Sequence, residues 1–330
     1  MKSVRKEFAV GKLFSCHNFD RFLSDRAIHK DDKPMIKTNL SHFSIQQISE
    51  SGQCFRMNRI AENRYALIAF GRYLEVEQTG RDLLFACTQE EYDGIWREYF
   101  DLDNDYGRYR STVSEQDLYL AEAMAFGSGI RILHQDVWEM LISFIISQQN
   151  NIRRIRKCIE TLCERYGRKM CVANGGTVGE AADGGKEKDD ESIGTSKTYY
   201  TFPDVQSLAS ATEEELRECN LGYRSRYIVN TANSILCGDV DLEAVKKMEY
   251  KRARGELLKL CGVGEKVADC ICLFGLHHMD AFPVDTHIRK AIEEHYPTGF
   301  PFERYDGFAG VMQQYIFYYD LKNSSGIVKE

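Results

Sequence analysis

A lysine, an aspartate and a pair of glycines are the residues whose types and spacing could do chemistry in this chain. In Leu257-Leu258-Lys259-Leu260-Cys261-Gly262-Val263-Gly264-Glu265-Lys266-Val267-Ala268-Asp269-Cys270, a helix pattern is followed by a Gly-Val-Gly turn and a second helix. The glycines permit a tight turn with close backbone approach, and the second helix opens with free N–H groups. Those donors, with the helix dipole, make a phosphate site. Lys266 falls in the first turn of that helix, where a cation opposes the macrodipole. It reads either as an exposed surface lysine or as an amine held for nucleophilic attack.

Asp285 weighs toward the second reading. Phe282-Pro283-Val284-Asp285-Thr286-His287-Ile288 reads as an extended approach to a helix capped by Asp285. A helix from Glu265 to Phe274 spans roughly 15 Å, and residues 276–284 could return about 30 Å if extended. Asp285 can therefore lie beside Lys266. A lone G-x-G is weak, but the same turn between two amphipathic helices is the helix–hairpin–helix pattern, a clamp on the DNA backbone that reads no sequence. At its mouth, an amine and a carboxylate suit attack at a sugar carbon with a stabilised oxocarbenium-like centre.

The elements that must position these groups fall into two halves. Up to about residue 110 the chain reads as β-rich. Cys54-Phe55-Arg56-Met57, Tyr65 to Phe70, Tyr73 to Val76 and Leu83 to Cys87 are short aromatic or branched runs separated by Gly71-Arg72 and Thr79-Gly80-Arg81-Asp82. Residues 1–40 read as a loose leader. After 115 the period becomes helical: Val137, Met140, Leu141, Phe144 and Ile145 form one apolar face behind an Asp136 N-cap. The next helix turns Ile152, Ile155, Ile159 and Leu162 inward, with Arg153, Arg156 and Lys157 outward. Residues 172–198, rich in Gly, Asp, Glu, Ser and Thr, predict a disordered insertion whose removal leaves activity intact.

Composition narrows the class. Across 330 residues, 43% hydrophobic and 28% charged side chains exclude wholesale disorder. The apolar stretch Val137 to Ile146 contains Glu139 and is too short for a bilayer, and no secretory signal follows Met1, so a soluble protein is expected. Eleven cysteines, an odd count without a Cys-x-x-Cys pair, read as thiols of a reducing compartment. None follows Cys272, which argues against a C-terminal iron–sulfur loop. His277-His278 reads as a solvated loop rather than a metal site. The formal charge of −7 hides basic runs, including seven Lys or Arg between Lys246 and Lys266, so it does not exclude nucleic acid.

The hairpin run with Pro283-Val284-Asp285-Thr286-His287 resembles the 8-oxoguanine DNA glycosylases of the helix–hairpin–helix superfamily. Ser51-Gly52-Gln53-Cys54-Phe55-Arg56, Ser147 to Ile155, Gly222 to Tyr227, Phe308-Ala309-Gly310 and Gln313 to Leu321 agree in the same order, over roughly residues 45–325. The resemblance implies an α+β protein: a leader over 1–40, an N-terminal antiparallel β-sheet domain over 41–115, and a mainly helical glycosylase body over 116–330. It implies that Lys266 attacks C1′ of a damaged nucleotide through a Schiff base, with β-elimination to follow, and that Asp285 assists. The flipped base meets Gly52, whose carbonyl accepts the N7–H of 8-oxoguanine, and Gln313 on its Watson–Crick edge, with Phe317 and Cys270 on its faces. Gln149, Arg154 and Arg224 resemble the readers of the opposite cytosine, with Tyr223 as wedge. Gly262, Gly264, Val267 and His287 match backbone contacts, and Asp320 orients His287. Cys261, Met57 and Gln149 stand where relatives often carry proline, tryptophan and asparagine.

The resemblance further implies double-stranded DNA containing 8-oxoguanine as partner, with no required cofactor and no iron–sulfur cluster. The carbonyls of Leu258, Leu260 and Val263 match a site for a monovalent or divalent cation. A monomer inside the cell is expected, cytoplasmic in a bacterium and nuclear or mitochondrial in a eukaryote. Two rivals stand beside this reading. One is a glycosylase for another damaged purine; the other is a non-catalytic helix–hairpin–helix DNA-binding module, which would need neither Lys266 nor the Gly52 and Gln313 pocket.

Overall fold

Alternation of buried and more exposed side chains in Ile36–Asn39 and Arg64–Ala69, beside runs of three buried residues in Arg72–Thr79 and Asp82–Phe85, builds the first layer. In the computed structural model, which describes residues 34–172, 178–180 and 197–324, the strands β1 (Ile36–Asn39), β2 (Met57–Ala61), β3 (Arg64–Ala69), β4 (Arg72–Thr79) and β5 (Asp82–Phe85) form one antiparallel sheet. Its order is β1-β5-β4-β3-β2. Register lines up the buried face in rows: Met57, Leu67 and Leu74 oppose one another across β2 to β4, and Tyr65, Val76, Phe85 and Ile36 across β3 to β1. This face packs on Ile45 and Ile48 of α1 (Ile45–Glu50) and on Trp96, Tyr99 and Phe100.

The sequence-based boundaries shift at both ends of this layer. Residues 36–39 of the expected leader are β1, pinned to β5, while residues 1–33 lie outside the described part. The run Cys54 to Met57 enters the sheet only at Met57. Beyond β5, within the stretch read as β-rich, the chain is helical at Gln89–Glu91, Tyr92–Trp96, Arg97–Tyr99 and Tyr106–Arg110. Aromatic content, which favours strands by propensity, here serves helix burial instead.

The helical body is arranged around α3 (Val137–Ser147), which follows α2 (Leu118–Phe126). The Asp136 carboxylate accepts from the Glu139 N–H at 2.8 Å, as the sequence predicts. Most of this helix is buried, from Val137 to Ile146. The α4 helix (Ile152–Tyr166) is capped by Asn151 and buries Ile155, Ile159 and Leu162. Arg156, expected outward, instead donates to the Ser49 carbonyl at 2.7 Å and to Asn58 at 3.3 Å, tying α4 to the sheet domain. Then come α5 (Arg224–Leu236), α6 (Tyr250–Leu257), α7 (Glu265–Phe274), α8 (Thr286–His295) and α9 (Ala309–Ser324). No helix among the described residues is long and apolar enough to cross a membrane.

The expected insertion over 172–198 needs correction at both ends and at residues 178–180 within it. β6 (Lys169–Val172), β7 (Val178–Glu180) and β8 (Lys197–Tyr200) pair as an antiparallel sheet in the order β7-β6-β8. Lys197 of β8 forms an ion pair with Glu75 of the first sheet. Removal of 172–198 would therefore cut strands and this link, against the expectation that it is harmless. Residues 173–177 and 181–196 lie outside the described part. The His277-His278 doublet also departs from the solvated loop expected of it: His277 stacks on His134 at 5.1 Å and is 17% exposed.

Candidate active site

The hairpin forms because each of its glycines has a separate task. Gly262 has φ +80, and a Cβ there would lie 2.5 Å from the Tyr227 ring, so any side chain would collide with α5. Gly264 is the N-cap of α7, with no side-chain cap and open space around its Cα. The backbone donors at the start of α7 thus face outward, accessible to an anion. Behind them, Arg254 of α6 pairs with Asp269 of α7 at 2.7 Å, and Tyr250 donates to the same carboxylate oxygen at 2.8 Å. A buried carboxylate with two partners locks the angle between the hairpin's helices.

Lys266 and Asp285 meet in one narrow pocket of about 40 Å³, bordered also by Gly52, Phe144, Cys270, Gln313 and Phe317. Five separate elements contribute to it. Asp285 caps α8 by accepting from the Ile288 N–H at 2.9 Å through Oδ1, which leaves Oδ2 without a hydrogen-bond partner among the described residues. The half-buried Lys266 holds Nζ 5.1 Å from the centre of the Phe144 ring, a cation–π contact. Burial pushes the Cys270 thiol up to about 11, against the charge and hydrogen bond of Lys266, while Asp285 pushes it further up. Cys270 is therefore a neutral thiol at physiological pH.

The other pocket residues are set by α9. Gln313 is 4% exposed; its Nε2 donates to the Pro283 carbonyl at 3.0 Å, whereas its buried Oε1 has no partner. Phe317 lies one turn along, with its ring against Gly52: a Cβ at Gly52 would stand 3.0 Å from Phe317 Cε1. Gly52 itself has φ +75. His287 sits edge-on to Phe317, with ring centres 5.9 Å apart, and its Nδ1 lies 2.6 Å from Asp320 Oδ2. Val267 is buried behind the hairpin at 3% exposure, so any contact it makes to a phosphate comes from its backbone.

The expected readers of the opposite base divide. Gln149 (φ +47), Arg154 and Tyr223 are exposed, Tyr223 by 46%. Arg224 is 5% exposed: its guanidinium donates to the carbonyls of Gln148, of Gln149 at 3.2 Å and of Leu221 at 3.3 Å. It also lies 4.6 Å from the Tyr223 ring. Arg224 thus holds the turn that presents Gln149 and supports Tyr223 from behind. Of the three hairpin carbonyls matched to a cation, that of Leu260 accepts the Val263 N–H at 3.1 Å. Among the described residues, no group of three His, Cys, Asp or Glu could hold a metal ion.

Sequence reasoning took Phe144 as core alone and did not single out Gln148 or Gln314. Phe144 gave no local signal, since its contact with Lys266 joins α3 to α7 across the fold. Gln148 was visible only as part of a polar run; its amide donates to the Gly262 carbonyl at 2.9 Å.

Residues 35–141 match the family model described as the N-terminal domain of 8-oxoguanine DNA glycosylase, and 142–299 match that of the HhH-GPD superfamily base excision DNA repair proteins. The N-glycosylase/DNA lyase OGG1 of Arabidopsis thaliana is 34% identical over 274 residues, covering 79% of this chain and 69% of the relative. This chain belongs to the 8-oxoguanine DNA glycosylase family. The N-glycosylase/DNA lyase of Saccharomyces cerevisiae is 36% identical over 179 residues, covering 51% of this chain and 42% of that relative, less than half its length. A solved structure of Clostridium acetobutylicum 8-oxoguanine glycosylase/lyase, in complex with double-stranded DNA containing cytosine opposite 8-oxoguanine, superposes with a TM-score of 0.75. It is 35% identical, and the match covers 89% of this chain and 99% of that one. As in the family, an antiparallel sheet precedes a helical helix–hairpin–helix body.

Proposed function

We propose that this glycosylase removes 8-oxoguanine from duplex DNA, with preference for cytosine opposite the lesion, and then cleaves the strand as a lyase. The observation that carries the reading is a single pocket that brings an amine and a carboxylate together with Gly52, Gln313 and Phe317 beside the helix–hairpin–helix turn. The hairpin N–H groups hold phosphate, and the damaged nucleotide leaves the stack. Lys266 Nζ forms a bond to C1′ as the bond from C1′ to N9 breaks, and the base departs with a proton. Asp285 stabilises the positive charge that develops on the sugar through its unpartnered Oδ2. The C1′–O4′ bond then breaks with O4′ taking a proton, leaving an iminium. Loss of a C2′ proton breaks the C3′–O bond and expels the 3′ phosphate, the strand is cut, and hydrolysis of the imine frees Lys266.

Selection of the base follows from the donors it presents. Guanine and 8-oxoguanine both carry N1–H and N2–H on the Watson–Crick edge, which suit the unpartnered buried Oε1 of Gln313. Only 8-oxoguanine carries N7–H, which the Gly52 carbonyl would accept. Phe317 and Cys270 cover the two faces of the ring. Gln149, Arg154 and Tyr223 face the partner strand, with Arg224 in support; His287 and the residues Gly262, Gly264 and Val267 meet phosphate. The protein would act as a monomer without a required cofactor, and a cation at the Leu258, Leu260 and Val263 carbonyls would serve phosphate binding rather than bond breaking.

The test is borohydride capture on duplexes with 8-oxoguanine opposite each of the four bases. Covalent capture preferring cytosine supports the reading. Tight binding of folded protein without capture would move the assignment to a binding module, and capture that ignores the opposite base would discard the reader group.

A further inference from the structure

We propose that Gln314 is a positioning residue for lesion recognition, acting through the Ser51-Gly52 backbone; the proposal rests on the function above. Gln313 reads as the base contact, and its neighbour in sequence has a separate task. Gln314 is 1% exposed, and its Nε2 donates to the Ser51 carbonyl at 2.6 Å, across 263 positions of sequence. It borders the pocket, but its amide nitrogen faces the loop that carries Gly52.

That loop is otherwise held by the side chains and carbonyls on either side of Gly52. The Ser51 hydroxyl donates to the Ile48 carbonyl at 2.9 Å and accepts from Gln53 Nε2 at 2.9 Å. Gln53 also donates to the Arg131 carbonyl at 2.9 Å and accepts the Leu133 N–H at 2.8 Å. The Gln53 carbonyl accepts Gln135 Nε2 at 2.8 Å. The carbonyl of Gly52 accepts no hydrogen bond among the described residues. It belongs to the peptide between two pinned ones.

A glycine has more conformational freedom than any other residue, so its carbonyl stays aimed only if neighbouring peptides are fixed from outside. The linker before α3 fixes the downstream side, through Gln135 on the Gln53 carbonyl and through Arg131 and Leu133 on the Gln53 side chain. Gln314 is the anchor on the upstream side that comes from α9, the helix that also carries Gln313 and Phe317. One rigid helix thereby sets both the reader of the Watson–Crick edge and the register of the Gly52 carbonyl. Discrimination of 8-oxoguanine from guanine by a single N7–H contact depends on that register.

The experiment compares 8-oxoguanine excision with borohydride capture on a duplex bearing a preformed abasic site, where no base enters the slot. Gln314→Met keeps length without a donor. It should lower excision about 10- to 100-fold, as displacement of a binding group does, and leave abasic capture within about twofold of the parent. Gln314→Glu supplies a second readout that a purely structural role would not move. Its carboxylate cannot donate to Ser51, but the protonated acid can, so its excision relative to the parent should recover as pH falls toward 5. Unchanged excision in both variants overturns the proposal, as does equal loss on both substrates with no recovery at low pH. A folded parent that binds DNA but does not excise 8-oxoguanine overturns the function itself, and this role with it.

Discussion

Gln148 and Gly262 are joined by a hydrogen bond of 2.9 Å from side-chain amide to carbonyl, so the turn after α3 is tied directly to the DNA-binding hairpin. The Gln148 carbonyl in turn accepts Arg224 Nε at 3.0 Å. The hairpin proposed to clamp the damaged strand and the surface proposed to face the partner strand therefore share one polar chain. Changes on either side of it should be felt differently according to whether the residue supports the chain or only projects from it.

Arg224 and Arg154 separate on that basis. Arg224→Ala removes a buried guanidinium and leaves several carbonyls unpartnered, which should cost about 3 kcal/mol of stability as well as opposite-base preference. Arg154 is exposed, so Arg154→Ala should change stability by less than about 0.5 kcal/mol while reducing preference for cytosine. Urea denaturation beside excision assays on the four pairings tests both. Equal stability of the two variants would mean that the contacts of Arg224 are not supporting ones.

The hairpin glycines give a second contrast. Gly262→Ala places a Cβ against Tyr227 at a φ of +80 and should destabilise by roughly 2–4 kcal/mol. Gly264→Ala meets open space and should stay within about 1 kcal/mol of the parent. Its added methyl stands where the proposed phosphate contact would form, so duplex affinity should fall. Intact affinity in the Gly264 variant would place the DNA elsewhere.

Lys266→Gln should abolish covalent capture while damaged-duplex binding remains, because phosphate contacts supply most of the affinity. Strand cleavage by a clean preparation of that variant would remove Lys266 from the nucleophile's place.

Glu139 supplies a pH prediction. It is 8% exposed, with Arg56 Nη1 at 3.8 Å, beyond hydrogen-bond length. Burial pushes its carboxyl up to about 7, against the pull of Arg56. The folded protein thus holds this proton more tightly than the unfolded chain, so the stability it contributes is full below about 4.5 and is lost as pH rises through about 7. A carboxyl whose proton is held that much more tightly contributes at most about 3 kcal/mol. Between pH 4.5 and 8, the stability of Glu139→Gln relative to the parent should therefore rise. Parallel profiles for the two proteins would exclude Glu139 as the titrating group.

The local geometry of the candidate site was legible in the chain itself. Glycines at 262 and 264, an aspartate before a helix at 285 and a lysine in a first turn are signals contained within a few residues. Turn and cap geometry is decided over such short spans. The Asp136 cap and the apolar face of α3 were readable for the same reason. Strand limits were not. Ile36 to Asn39 lack any strong local pattern and become a strand because β5 offers an open edge. Both ends of 172–198, and residues 178–180 within it, likewise acquire strand structure by pairing with one another.

What sequence alone determined is which groups could act and the order in which they come. Tertiary structure decided which of them are free to act. Arg224 and Arg154 are the same residue type in the chain, yet packing turns one onto three backbone carbonyls and leaves the other exposed. Gln313 and Gln314 are adjacent and chemically identical, and the helix under them points one amide oxygen into the pocket without a partner and the other amide at Ser51. A buried polar group must take whatever partner the fold brings within about 3 Å, and that partner comes from far along the chain.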